Sequence, residues 1–161
     1  MDKTTEPGLI ELVKRGGDFR TIPGASSQEY LTNLLKTIEL PPKVNRKALL
    51  SAVLEREALM TTAVGNGIAL PHPRNPVITD PAEQFVCISF PEQELNWEAL
   101  DGKPVHTVIL IISASPKMHL HTISRINFFC QQESFRMQLR SRASAAEILK
   151  TIEETERNWS V

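Results

Sequence analysis

Residues 104–113, PVHTVILIIS, are apolar almost without interruption. A strand that faces water on one side alternates apolar and polar residues; a strand apolar nearly throughout must be covered on both faces. That requirement excludes a one-sided sheet and demands material above and below. A second run, EQFVCISF (83–90), reads as another strand, and Asp101-Gly102 marks the turn between the two.

The rest of the chain supplies helices. Ser26 with Glu29 fits a capping box, and Leu31, Leu34, Leu35 and Ile38 follow at helical spacing. After the break LPPKV (40–44), Asn45 caps a second helix running to about Met60. Ser115-Pro116 gives an N-cap and first helical residue for a helix carrying Leu120, Ile123, Ile126 and Phe129. Ser144 with Glu147 opens a last helix with Ile148, Leu149 and Ile152. DFRTI (18–22) and GIAL (67–70) are short strands. Helices interleaved with strands predict one α/β domain, a sheet flanked by helices on both sides, over residues 18–161. Residues 1–17 are expected to be an N-terminal extension of linker type.

The 161 residues, 41% hydrophobic with net charge −1, suffice for one ordinary core. No basic block suggests nucleic acid, and no run approaches the roughly 20 apolar residues of a membrane span. The first residues lack the apolar stretch of a signal peptide. Cys87 and Cys130 lie in no metal or redox spacing, so a reducing, cytoplasmic setting is expected.

The most unusual stretch is GNGIALPHPR (65–74), a histidine between two prolines behind a glycine turn. Proline pushes the residue before it out of helical geometry, so Leu70 and His72 are both extended. Pro71 and Pro73 have fixed φ, and His72 sits on a stiff arm. Gly65, Asn66 and Gly67 form a turn that is either purely structural or a nest of backbone N–H groups for an anion. It lacks the Lys-Ser/Thr of a P-loop and the third glycine of a dinucleotide fingerprint.

Two further residues stand out. On a helical wheel Leu49, Val53 and Met60 form a stripe, and Arg56 falls inside it. It either snorkels to a structural partner or presents its planar fork to an anion. His119 shares a face with Ile123 and Ile126 and points inward from the first turn of its helix, as a structural or a functional histidine. His121 points away: two residues on a helix diverge by about 200°, which argues against a metal pair. His106 alternates outward on its strand.

LEREALMTTAVGNGIALPHPRNP strongly resembles the active-site segment of enzyme IIA domains of the fructose–mannitol type, in bacterial phosphoenolpyruvate-dependent phosphotransferase systems. The nitrogen-regulatory IIA-like subgroup is the nearest in pattern. The resemblance continues through ALDGKPVHTVILIISASPKMHLHTISRI and ASAAEILKTIEE, covering roughly residues 18–156. It implies a mixed β-sheet between helices and a phosphoryl-accepting histidine, His72, served by a phosphohistidine carrier protein as donor. By motif match Arg56 and His119 complete the catalytic trio, with Gly65, Asn66 and Gly67 as phosphate-binding candidates. No metal or other cofactor is implied, because the donor is a phosphohistidine rather than a nucleotide. Pro73 after the histidine departs from the acidic or small residue usual there. Three roles follow from the resemblance: a regulatory phosphoryl acceptor with protein targets, a sugar-specific component passing phosphate to a IIB domain, or a binding-only regulatory module.

Overall fold

The structure, a computed structural model, describes residues 7–159. Its centre is β5 (Thr107–Ile112), every residue of which is buried. Side chains alternate across a strand. Val108, Leu110 and Ile112 therefore enter one hydrophobic cluster, and Ile109 and Ile111 enter another on the opposite face. The demand for cover on both sides is met by two helical layers.

Five strands form one mixed sheet in the order β1-β4-β5-β3-β2. β1 (Arg20–Ile22) runs parallel to β4 (Phe85–Pro91), which is antiparallel to β5. β3 (Ile68–Ala69) is parallel to β5 and antiparallel to β2 (Ala63–Gly65). One face is covered by α2 (Ser27–Thr37) and α3 (Arg46–Leu59). Tyr30, Leu31, Leu34 and Leu35 of α2 and Leu49 and Val53 of α3 are fully buried there. Truncating such a leucine to alanine costs about 2–5 kcal/mol. Ser26 Oγ accepts from the Glu29 N–H, and Asn45 Oδ1 from the Ala48 N–H, so both caps form where the sequence puts them.

The other face carries α1 (Leu9–Arg15), α4 (Pro116–Cys130), α5 (Glu133–Arg140) and α6 (Ala145–Trp159). Sequence reasoning missed α1 and α5. Residues 9–15 lie within the stretch expected as an extension, yet Leu9, Leu12 and Val13 are buried against the sheet. The Glu156 carboxylate of α6 accepts the Leu9 and Ile10 N–H groups, both at 2.7 Å, and pairs with Arg125 of α4 at 2.6 Å. The extension is thus packed into the domain over these residues; its first six residues lie outside the described ones. A seven-residue helix without a side-chain cap leaves too little periodicity to read.

Two apolar assignments are corrected. Met60 does not extend the α3 stripe: the helix ends at Leu59, and Met60 is extended (φ −166°) and 69% exposed. Leu120 lies off the inward face of α4, which is set by Thr122, Ile126 and Phe129, and is 66% exposed.

Candidate functional site

β3 continues past Ala69 along β5 as the Leu70-Pro71-His72 arm. Leu70 N–H donates to Thr62 O at 3.0 Å, and Ile111 N–H donates to Pro71 O at 3.0 Å. The arm is thereby held from both sides, although its proline donates nothing. His72 then turns its ring back on its own chain: Nδ1 lies 2.8 Å from Leu70 O. A carbonyl only accepts, so Nδ1 carries the proton and Nε2 keeps its lone pair. No described residue hydrogen-bonds to Nε2.

α4 brings the second histidine. Ser115 Oγ accepts from the Met118 N–H, Pro116 opens the helix, and His119 follows within its first turns. The His119 and His72 rings lie 4.5 Å apart between centroids, their planes tilted by 42°. Burial, then the neighbouring His72 and Arg56, push the His119 pKa down to about 4, leaving the ring neutral near pH 7. The positive end of a helix dipole disfavours imidazolium in the same sense. His72 is also held below its ordinary value, chiefly by burial; the Leu70 carbonyl opposes, Arg56 adds to the lowering, and Glu57 opposes it.

Arg56 comes from the last turn of α3. Its Nη1 donates to Met60 O at 2.7 Å, and its charge is felt at both histidines. Its hydrogen-bond partner is a backbone carbonyl rather than a carboxylate, and most of the fork's donors remain for another acceptor. The three residues singled out in the sequence thus come together from α3, the β3 arm and α4. Beside them an open cleft of about 330 Å³ is lined by Arg74, Ser113, Pro116 and Leu120 as well as His119. His121 faces elsewhere, toward a groove with Leu120, Phe128 and Trp159.

The glycine turn does not join this group. Gly65 (φ 93°), Asn66 (φ 57°) and Gly67 (φ 81°) form the β2–β3 hairpin, with the left-handed geometry expected of them. The Asn66 N–H, however, is taken by Asp101 Oδ2 at 2.8 Å. Gly67 lies beside His106 and Thr107, whereas Pro71 lies beside Ile111. Five residues of extended chain, roughly 16 Å, separate Gly67 from His72. The turn serves His106 instead. That histidine is not outward but buried, with Nδ1 2.7 Å from Thr107 Oγ1. A Cβ on Gly67 would come within 2.2 Å of its ring. Alternation failed there because a missing side chain on the neighbouring strand made room for a polar ring.

Among the described residues, no helix is long and apolar enough to cross a membrane, and no group of three or more His, Cys, Asp or Glu could hold a metal ion. The protein family described as "Phosphoenolpyruvate-dependent sugar phosphotransferase system, EIIA 2" matches residues 19–155. The chain belongs to this family. It is 30% identical over 148 residues to a nitrogen regulatory protein of Pseudomonas aeruginosa, covering 89% of this chain and 93% of that one. It is 26% identical over 147 residues to the fructose-specific EIIABC component of Bacillus subtilis, of which it spans 23%. The fold matches the crystal structure of nitrogen regulatory protein IIA-Ntr from Neisseria meningitidis with a TM-score of 0.74 at 20% identity, over 89% of this chain and 97% of that one. IIA mannitol from Escherichia coli matches with a TM-score of 0.66 at 21% identity, over 88% and 98%. The family, the mixed sheet between helices and the type of domain expected from the motif all stand.

Proposed function

We propose that this IIA domain accepts a phosphoryl group on His72 Nε2 from a phosphohistidine carrier protein and works as a regulatory relay in the cytoplasm. The observation that carries this reading is the Nδ1–H···O=C bond to Leu70, which leaves Nε2 nucleophilic and stiffly aimed. In the transfer, the donor's N–P bond breaks as the Nε2–P bond forms, and the electron pair returns to the donor's imidazole. The phosphoryl group carries its charge on three equatorial oxygens, so alignment and charge stabilisation are the chemistry required. The Arg56 fork pairs with those oxygens, and the neutral His119 donates one hydrogen bond to them. The onward acceptor is a protein. The nitrogen-regulatory role is favoured over sugar transport by the 30% identity that runs through 93% of the Pseudomonas relative.

A second reading, transfer to a IIB domain, is favoured by a structural neighbour, the complex of IIA mannitol with phosphorylated IIB mannitol from Escherichia coli. Incubation with phosphoenolpyruvate and the two general cascade proteins, followed by intact-mass measurement, tests the shared core of both. One acid-labile phosphoryl group is expected on the wild type and none on His72→Ala. A wild type that stays unmodified would leave only a binding module.

A further inference from the structure

Glu57 neighbours Arg56 on α3, but adjacent helical residues do not face the same way. Its carboxylate leaves the helix and closes over the loop that follows. Oε2 accepts the Thr62 N–H at 2.8 Å and Oε1 accepts the Thr62 hydroxyl at 2.5 Å. Thr62, 5% exposed, is the residue whose carbonyl receives the Leu70 N–H. Leu70, in turn, offers its carbonyl to His72 Nδ1. The β2–β3 pairing of Ala63 with Ala69 is thus prolonged by one rung, Thr62 with Leu70, and the far end of that rung is gripped by α3.

We infer that Glu57 is a positioning residue for phosphoryl transfer: by clamping Thr62 it fixes, through Leu70, the orientation and tautomer of His72. The inference rests on the proposed role of His72 as acceptor, but its mechanics do not. A carboxylate near an incoming phosphoryl group is electrostatically unfavourable in itself. It is explained by its geometry, because a carboxylate accepts two parallel donors from one residue, and Thr62 presents a backbone N–H and a hydroxyl side by side. Arg56 grips Met60 O and Glu57 grips Thr62, so one turn of α3 holds both ends of the loop leading into β2. Without the clamp, the Thr62–Leu70 rung is held only at the edge of a two-residue strand. The Leu70 carbonyl can then tilt away from Nδ1, freeing the ring to adopt the Nε2–H tautomer, which cannot attack phosphorus through Nε2.

The test compares wild type, Glu57→Ala, Glu57→Gln and Thr62→Val by ¹⁵N NMR of the histidine rings near neutral pH, with phosphoryl uptake measured in parallel. Glu57→Ala is expected to lower the Nδ1–H population of His72 and slow uptake by about tenfold or more, as misplacement of a reacting group does. Glu57→Gln retains an acceptor for the Thr62 N–H while the hydroxyl reverses to accept, and it recovers most of both signals. Thr62→Val removes one of the two clamp bonds at nearly constant volume and shifts His72 in the same direction by less; it also serves if Glu57→Ala does not fold. A His72 tautomer and uptake rate unchanged in folded Glu57→Ala, or in Thr62→Val where the alanine variant is unfolded, overturn the inference. Failure of the relay itself reads differently: no phosphate on any form, with the NMR shifts still present.

Discussion

His72 and His106 lie at opposite ends of the paired β3 and β5 segments, and the chain treats them in opposite ways. At the His106 end the ring is closed off. Thr107 Oγ1 engages Nδ1, the Asn66 backbone accepts from the ring, and Gly67 gives up its side chain to seat it. At the His72 end one nitrogen is spent on Leu70 O, the other has no hydrogen-bond partner among the described residues, and a neutral histidine and an arginine from two different helices lie near the ring. Both rings are depressed in pKa chiefly by burial, so burial and pKa do not tell them apart. What distinguishes them is an uncommitted nitrogen beside groups able to receive charge.

The sharpest way to break this comparison is to delete each ring. His72→Ala should lose phosphorylation entirely while its thermal midpoint changes little. His106→Ala should keep phosphorylation and lose about 1–3 kcal/mol of stability, the usual effect of emptying a buried polar site. Denaturant titration beside intact-mass measurement checks both. Reversed outcomes would exchange the roles of the two ends.

His119→Ala comes next in size. It retains the acceptor but removes a donor to a charged group, a loss typically of about 1.5–3 kcal/mol. Transfer should therefore slow about tenfold to a hundredfold in rapid-quench kinetics. Arg56→Lys should slow transfer less, because a point charge remains where a bidentate fork stood. Wild-type rates for Arg56→Lys would return the residue to a purely structural role on Met60 O.

The pH dependence follows from the lowered His119 pKa. Between the ordinary value of 6.5 and about 4, the unfolded chain binds more protons at this residue than the folded one. Stability from this ring is therefore intact above about pH 6.5 and falls as the pH drops toward 4. Its half-exposed position screens the effect, so the decline is shallow. Melting curves of His119→Asn should be flatter than wild type across that window. The smallest effect is expected from His121→Ala, which faces the groove with Phe128 and Trp159: transfer within about twofold of wild type.

Much of this contrast was legible in the sequence, and the illegible part has physical causes. The four helix starts at Ser26, Asn45, Ser115 and Ser144 were readable because capping is local. The unbroken apolar run of β5 fixed the two-sided cover, and the prolines around His72 marked its arm. The glycine turn was legible as a turn but not in what it engages: left-handed φ follows from Gly-Asn-Gly, whereas the partner of the Asn66 N–H, Asp101, lies 35 residues away. His106 was misplaced because its burial depends on an absent side chain across the sheet. Glu57 escaped because its partner lies beyond the helix end, outside any i, i+4 pattern. The β2 strand and α5, of three and eight residues, were too short to show a period.

The central claim is that Nε2 of His72, and no other nitrogen, is the reacting atom. Phosphorylating uniformly ¹⁵N-labelled protein and recording ³¹P–¹⁵N correlated NMR tests it directly. The account predicts one phosphorus resonance coupled to His72 Nε2, with Nδ1 still protonated toward Leu70 O. Coupling to His72 Nδ1, or to a ring nitrogen of His119 or His106, would contradict it.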